Sequence, residues 1–218
     1  MKKFVMSNMN SVTVYAVNTE TVRQTDAGIL YRSMPERMKK ARKYRREQDC
    51  LLCIGAGILL FDIVGIKDET VIRYNQYGKP HAPGFPDFNL SHSGEWCVIA
   101  VGHGDLGIDI ERIKSDNIKL APAVCTPDEA EWLSKAPAER FHTLWTYKES
   151  LIKAAGTGMS IEPASVDVLP FCNDRPVTLM GRKWYARSLE ITGYSLSVCS
   201  SARIGEVKFT EWKQRKIL

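Results

Sequence analysis

The 218-residue sequence has no apolar run able to cross a bilayer. The longest, Leu51 to Phe61, is 11 residues, against the roughly 20 that a membrane helix needs. Met1 to Asn10 carries Lys2 and Lys3 but lacks the apolar stretch of about 7 to 15 residues that a secretory signal requires. No membrane association is expected. Low-complexity segments, long linkers and a letter-by-letter repeat are also missing, as is the G-x-S-x-G of a serine hydrolase. Cysteine is sparse: six residues at 50, 53, 97, 125, 172 and 199 form no regular framework. A disulfide scaffold is excluded, and a reducing, cytoplasmic protein with free thiols is expected. Cys50 and Cys53 form a C-x-x-C, but a zinc ribbon needs a second pair, and Leu51, Leu52 and Ile54 mark this one as core. With 44% hydrophobic and 25% charged residues, the chain can bury a sizeable core.

The net charge of +5 is uneven. Seven of the ten residues from Arg37 to Arg46 are basic, and the remaining 23 basic residues are slightly outnumbered by 25 acidic ones. Such a local field either solvates a helix face or attracts a phosphate-rich partner. Seven charges in ten residues exceed what solvation of one face requires.

Val12 to Val17 is a β-branched run of strand character. Ser33-Met-Pro-Glu36 has the form of a capping box, so the basic run is expected to open a helix. Leu51 to Val64 reads as a buried helix ended by Gly65. Val71 to Tyr74 is a short strand before the turn at Gln76 to Pro80, and His81 to Pro86 is a loop. Trp96 to Val101 and Leu106 to Arg112 read as strands joined in a hairpin by Gly102 to Asp105. Thr126-Pro-Asp-Glu129 is a second capping box. A helix runs from Pro137 to Ala155 and stops at Gly156 and Gly158. Short strand-like segments follow at 165–169, 177–180, 184–189, 194–200 and 207–210. Both halves thus read strand, helix, strands. The expected fold is α+β, a pseudo-dimer of two similar lobes, each a small, mostly antiparallel sheet packed with a long helix. The expected division is 1–104 and 105–218, with a site at the junction.

In Leu106-Gly-Ile-Asp109-Ile-Glu111, alternation sends Ile108 and Ile110 to the core and both acids to the other face, their Cα atoms roughly 6.6 Å apart. Two carboxylates on one rigid face suit a hard divalent cation such as magnesium; a bare D-x-E is more commonly an ordinary solvent-facing strand, which needs no site to explain it. On the helix, Phe141, Leu144, Trp145, Leu151, Ile152 and Ala155 form a core stripe that Glu149 borders. Lys153 is its i,i+4 partner. Ser91 and His92 can donate to a phosphate or simply cap a turn. Lys79, between Gly78 and Pro80, is a third phosphate contact or a solvated turn lysine.

Taken in order, Gly78-Lys-Pro80, Phe88-Asn-Leu-Ser-His-Ser-Gly94, Gly107-Ile-Asp-Ile-Glu111 and Trp145-Thr-Tyr-Lys-Glu-Ser-Leu-Ile-Lys-Ala154 resemble the signatures of the 4′-phosphopantetheinyl transferase superfamily, in its single-chain, Sfp-type branch. The resemblance covers about Ser33 to Gly158. It implies transfer of the 4′-phosphopantetheine arm of coenzyme A to a serine hydroxyl of an apo acyl or peptidyl carrier protein, leaving adenosine 3′,5′-bisphosphate. It further implies that Asp109, Glu111 and Glu149 hold Mg²⁺ against the pyrophosphate, and that Lys79, Ser91 and His92 contact coenzyme phosphates. Lys153 would steady the pyrophosphate or Glu149, and Arg37 and Lys40 would lie near the adenosine-side phosphates. A monomer is implied, with Glu149 or a water it holds as base. The chain departs from the family at Cys50-Leu-Leu-Cys53, where members commonly carry polar or basic residues. Two other classes fit the same residues less fully. One is a phosphate or nucleic-acid binder using residues 37–46; the other is a metal-dependent nuclease.

Overall fold

The structure, a computed structural model, describes residues 10–134, 137–171 and 175–214. The β-branched run forms β1 (Asn10–Asn18), whose Val12, Val14 and Ala16 are fully buried. Asn18 then caps α1 (Thr19–Gln24) by accepting from the Glu20 amide. α2 (Leu30–Ser33), α3 (Pro35–Arg42) and α4 (Glu47–Leu59) follow, the last widening into a π-helical turn that ends at Gly65, φ 88°.

The expected capping box at Ser33 does not form. Ser33 closes α2, and no side chain of the local segment caps α3. Glu69, remote in sequence, accepts from the amides of Glu36 and Arg37 and satisfies that helix start. The basic run is therefore divided between α3 and the link to α4. Its basic residues are exposed except for Arg37, which is half-buried, while Met38 and Ala41 are buried.

β2 (Arg73–Tyr74) and β3 (Pro80–His81) flank the turn that was read from Gly78 and Pro80. β4 (Asp87–Ser93), β5 (Trp96–Gly102) and β6 (Leu106–Arg112) come next. After them come α5 (Ala121–Val124), α6 (Pro127–Leu133) and α7 (Pro137–Ala155). The chain then runs through β7 (Val177–Leu179), β8 (Arg182–Ile191), β9 (Tyr194–Ser200) and β10 (Ile204–Glu211). The second capping box is present as expected, with reciprocal Thr126 and Glu129 bonds. No strand forms at 165–169; Val166 and Val168 pack into the core from irregular chain.

β5 and β6 are not a hairpin. They belong to different four-stranded sheets, ordered β10-β1-β5-β4 and β6-β9-β8-β7. Every pairing in these sheets is antiparallel except that of β1 with β10, which is parallel. The turn Gly102 to Asp105 thus carries the chain from one sheet to the next. The reason is apolar layering: Val12, Val14, Val98 and Ala100 from one sheet pack against Ile108, Ile110, Leu196 and Val198 from the other. A hairpin in one sheet would leave those faces without partners. The outer face of the first sheet is covered by α4 through Val17, Cys97, Ile99, Leu52 and Leu59. The outer face of the second is covered by α7 through Phe141, Leu144, Leu151, Trp184 and Ala186. The α+β expectation of sheet-plus-helix units holds. The last strand, β10, lies on the edge of the first sheet beside β1.

At the seam the edge strands β4 and β6 lie side by side without a backbone ladder. Side chains of β4 serve instead. Asn89 Oδ1 accepts from the Ile108 amide at 2.9 Å, Ser91 Oγ from Ile110 at 3.4 Å and Ser93 Oγ from Arg112 at 3.1 Å.

Candidate active site

The alternation read from the sequence places Ile108 and Ile110 in the core between the sheets and turns Asp109 and Glu111 toward α7. Gly107 is what lets α7 come so close. A Cβ on it would lie 1.9 Å from Ser150 O and 2.4 Å from Ala154 N, so no larger residue fits. The helix consequently presents Trp145, Glu149 and Lys153, spaced at i, i+4 and i+8, to the seam. These residues, together with Asp109 and Glu111, line one cavity of about 400 Å³.

Asp109 is 3% exposed, and its Oδ1 accepts from Lys153 Nζ at 2.6 Å and from Ser91 Oγ at 2.8 Å. Lys153 Nζ also reaches Ser91 Oγ at 3.1 Å. The expected pairing of Lys153 with Glu149 is therefore corrected. The ammonium leaves its helix neighbour for Asp109, because a buried carboxylate loses more solvation than a half-buried one and gains more from a counter-charge. Glu111 is held by Ser93, whose hydroxyl donates to Oε2 at 2.8 Å. Burial raises the Glu149 carboxyl above its usual range, and the charges of Asp109 and Glu111 raise it further. Burial also raises Glu111, with the Ser93 hydroxyl opposing and Asp109 adding to the shift.

Asp109 Oδ2 is buried without a hydrogen-bond partner, and Asp109 lines the cavity together with Glu111 and Glu149, two acids whose charge burial disfavours. A hard cation would satisfy that oxygen and relieve the mutual repulsion, so the donor set is of the right chemistry. Among the described residues, no three acidic, imidazole or thiol groups converge closely enough to grip an ion in the present side-chain arrangement. Lys153 supplies the positive charge there.

Arg37, Ser91 and His92 line the same cavity. His92 is exposed, and partial desolvation followed by the charge of Lys153 lowers its pKa. Lys40 does not line it; it is exposed on α3, near enough for its charge to act on His92. Lys79 is not brought to the acids. Its Nζ donates to Ala154 O at 2.8 Å, Asn75 Nδ2 donates to Gly156 O at 2.7 Å, and the two side chains together close the C-terminus of α7. Lys79 lines a neighbouring cavity of about 350 Å³. Cys53 is buried, with its thiol near Arg37 O, and Cys50 is half-buried; both are free thiols, as are Cys97, Cys125 and Cys199. Cys172 lies outside the described residues.

Sequence reading passed over Asn89 and Ser93. Their signal was present as polar residues at every second position of a strand, Asn89, Ser91 and Ser93. It also left Lys148 without a role. Lys148 is wholly buried, paired with Glu129 at 2.6 Å and donating to Val124 O and Pro163 O, each at 2.8 Å. It ties the end of α5, α6 itself and the chain beyond α7 to α7, one residue before Glu149.

Among the described residues, no helix is long and apolar enough to cross a membrane. A family profile described as ACPS, the 4′-phosphopantetheinyl transferase superfamily, matches residues 105–199. The chain is 31% identical over 183 residues to the 4′-phosphopantetheinyl transferase Sfp of Bacillus subtilis, covering 77% of this chain and 81% of that one. It is 45% identical over 107 residues to the transferase gsp of Aneurinibacillus migulanus, covering 47% and 45%. It is 36% identical over 145 residues to a further Bacillus subtilis 4′-phosphopantetheinyl transferase, covering 61% and 64%. The strand bearing Asp109 and Glu111 and the helix bearing Glu149 both lie inside the matched profile, and a relative is matched over four-fifths of its length. On those grounds the chain belongs to the 4′-phosphopantetheinyl transferase superfamily, a family of transferases.

Proposed function

We propose that the chain transfers the 4′-phosphopantetheine arm of coenzyme A to a serine hydroxyl of an apo acyl or peptidyl carrier protein and releases adenosine 3′,5′-bisphosphate. The observation that carries this reading is the meeting of Asp109, Glu111, Glu149 and Lys153 on one cavity at the seam between the sheets. In the reaction a serine oxygen–phosphorus bond forms and the bond from that phosphorus to the bridging pyrophosphate oxygen breaks. Such a transfer needs charge neutralisation and in-line placement more than covalent help from the protein.

Mg²⁺ bound by Asp109, Glu111 and Glu149 would supply charge neutralisation at the pyrophosphate. Lys153, on the same cavity wall, adds a second positive charge; Arg37 and His92 line that cavity too, which supports His92 as a contact to coenzyme phosphates and Arg37 as one on the adenosine side. The Ser91 hydroxyl donates to Asp109 and accepts from Lys153, so we assign it to orienting those two groups. Lys79 is assigned to holding the end of α7. Glu149, on the same cavity wall, or a water it holds, takes the serine proton. One chain carries all of these groups, which supports a monomer. The exposed basic residues of α3 and the link beyond it suit an acidic, helical carrier, and free thiols suit a cytoplasmic setting.

The test is incubation of the folded protein with coenzyme A, MgCl₂ and a panel of apo acyl and peptidyl carriers, read by intact mass. One carrier is expected to gain the phosphopantetheine mass. No adduct on any carrier overturns the reading.

A further inference from the structure

The three polar side chains that bridge the sheets do more than join them. Asn89, Ser91 and Ser93 each accept one amide of β6, at alternate residues Ile108, Ile110 and Arg112. The acids Asp109 and Glu111 occupy the positions between those amides. The two serines then donate their own protons to the acid beside them: Ser91 to Asp109 Oδ1 and Ser93 to Glu111 Oε2, both at 2.8 Å. A hydroxyl that accepts from the backbone has its proton directed elsewhere, and here the carboxylate is the acceptor in reach. One oxygen atom therefore fixes the strand register and the rotamer of a site acid together.

We infer that Ser93 is a positioning residue that holds the Glu111 carboxylate for divalent cation binding; this rests on the reading of Asp109, Glu111 and Glu149 as a cation site. Asp109 has two side-chain partners, Lys153 and Ser91, whereas Ser93 is the one side chain donating to Glu111 among the described residues. Glu111, which lines the cavity, is kept in one orientation by that single bond. Hydrogen-bond partners of metal-ligating carboxylates commonly matter by about 10- to 100-fold in metal affinity. Removal of the Ser93 hydroxyl falls in that class, while Ser93 itself does not line the cavity.

The experiment measures Mn²⁺ binding directly, by electron paramagnetic resonance with coenzyme A present, for the wild type, Ser93→Ala and Ser93→Thr. Transfer is measured in parallel at varied Mg²⁺. Ser93→Ala is expected to weaken Mn²⁺ binding about tenfold and to raise the Mg²⁺ concentration for half-maximal transfer in step. At saturating Mg²⁺, KM for coenzyme A should be unchanged. Ser93→Thr, which keeps the hydroxyl, should restore binding. Should Ser93→Ala not fold, the isosteric pair Ser93→Thr and Ser93→Val isolates the hydroxyl in the same way. Wild-type affinity in the Ala or Val variant, or a Thr variant as weak as Ala, overturns the inference. A wild type that binds Mn²⁺ but modifies no carrier overturns the proposed reaction and leaves the Ser93 comparison standing. A wild type that binds no Mn²⁺ overturns both.

Discussion

Lys153 Nζ of α7 lies 2.6 Å from Asp109 Oδ1 on the strand beneath that helix, and that pair carries the charge balance of the site. Lys153→Ala leaves a carboxylate that is 3% exposed with only Ser91 as a side-chain partner. Without divalent cation, the variant is expected to lose about 1–3 kcal/mol of stability in urea titrations. Added Mg²⁺ should return much of it, since a cation can take the place of the ammonium. Equal loss with and without Mg²⁺ would contradict a cation site at Asp109.

Glu149→Gln and Asp109→Asn should each lower transfer at least 100-fold while leaving circular dichroism unchanged. Because folding raises the Glu149 pKa above its ordinary 4.5, the folded form binds its proton more tightly than the unfolded form. The stabilisation from that protonation is fully present below 4.5 and is lost as pH rises through the raised folded value. Metal-free protein should therefore become more stable as pH falls across this window, and Glu149→Gln should flatten that part of the profile.

Gly107→Ala tests the packing of α7 on β6. The added methyl would overlap Ser150 O, so the helix must move and carry Glu149 and Lys153 with it. A loss of about 1–3 kcal/mol in chemical denaturation is expected, together with a lower kcat. A variant as stable and active as the wild type would show that the close approach is not required.

The buried Lys148–Glu129 pair is expected to behave as a unit. Lys148→Met alone leaves Glu129 charged in the core and should cost about 3–5 kcal/mol. The double change Lys148→Met, Glu129→Leu should cost less than the sum of the single changes, as read by a double-mutant cycle in urea.

Local patterns were legible where one element decides the outcome. The β-branched strand, the Thr126 capping box, the long helix ending at Gly156 and the two-faced strand at Ile108 to Glu111 all follow from spacing within a few residues. The failures share a cause. Ser33 was displaced as a cap by Glu69, β5 and β6 were separated by the need to bury two apolar faces, and Lys153 chose Asp109 over Glu149. Each was decided by a partner remote in sequence, which a local window cannot weigh. The turn that carries Lys79 follows from Gly78 and Pro80, whereas the helix carbonyl that accepts from its ammonium lies 75 residues away.

Where β4 meets β6, the two sheets communicate through replaceable groups: an amide and two hydroxyls stand where most neighbouring strands share backbone hydrogen bonds. A backbone ladder offers evolution no handle, since every residue supplies the same donor and acceptor. Here a single codon can lengthen, shorten or delete one rung without unzipping its neighbours, so the spacing between the halves of the site is heritable and adjustable in small steps.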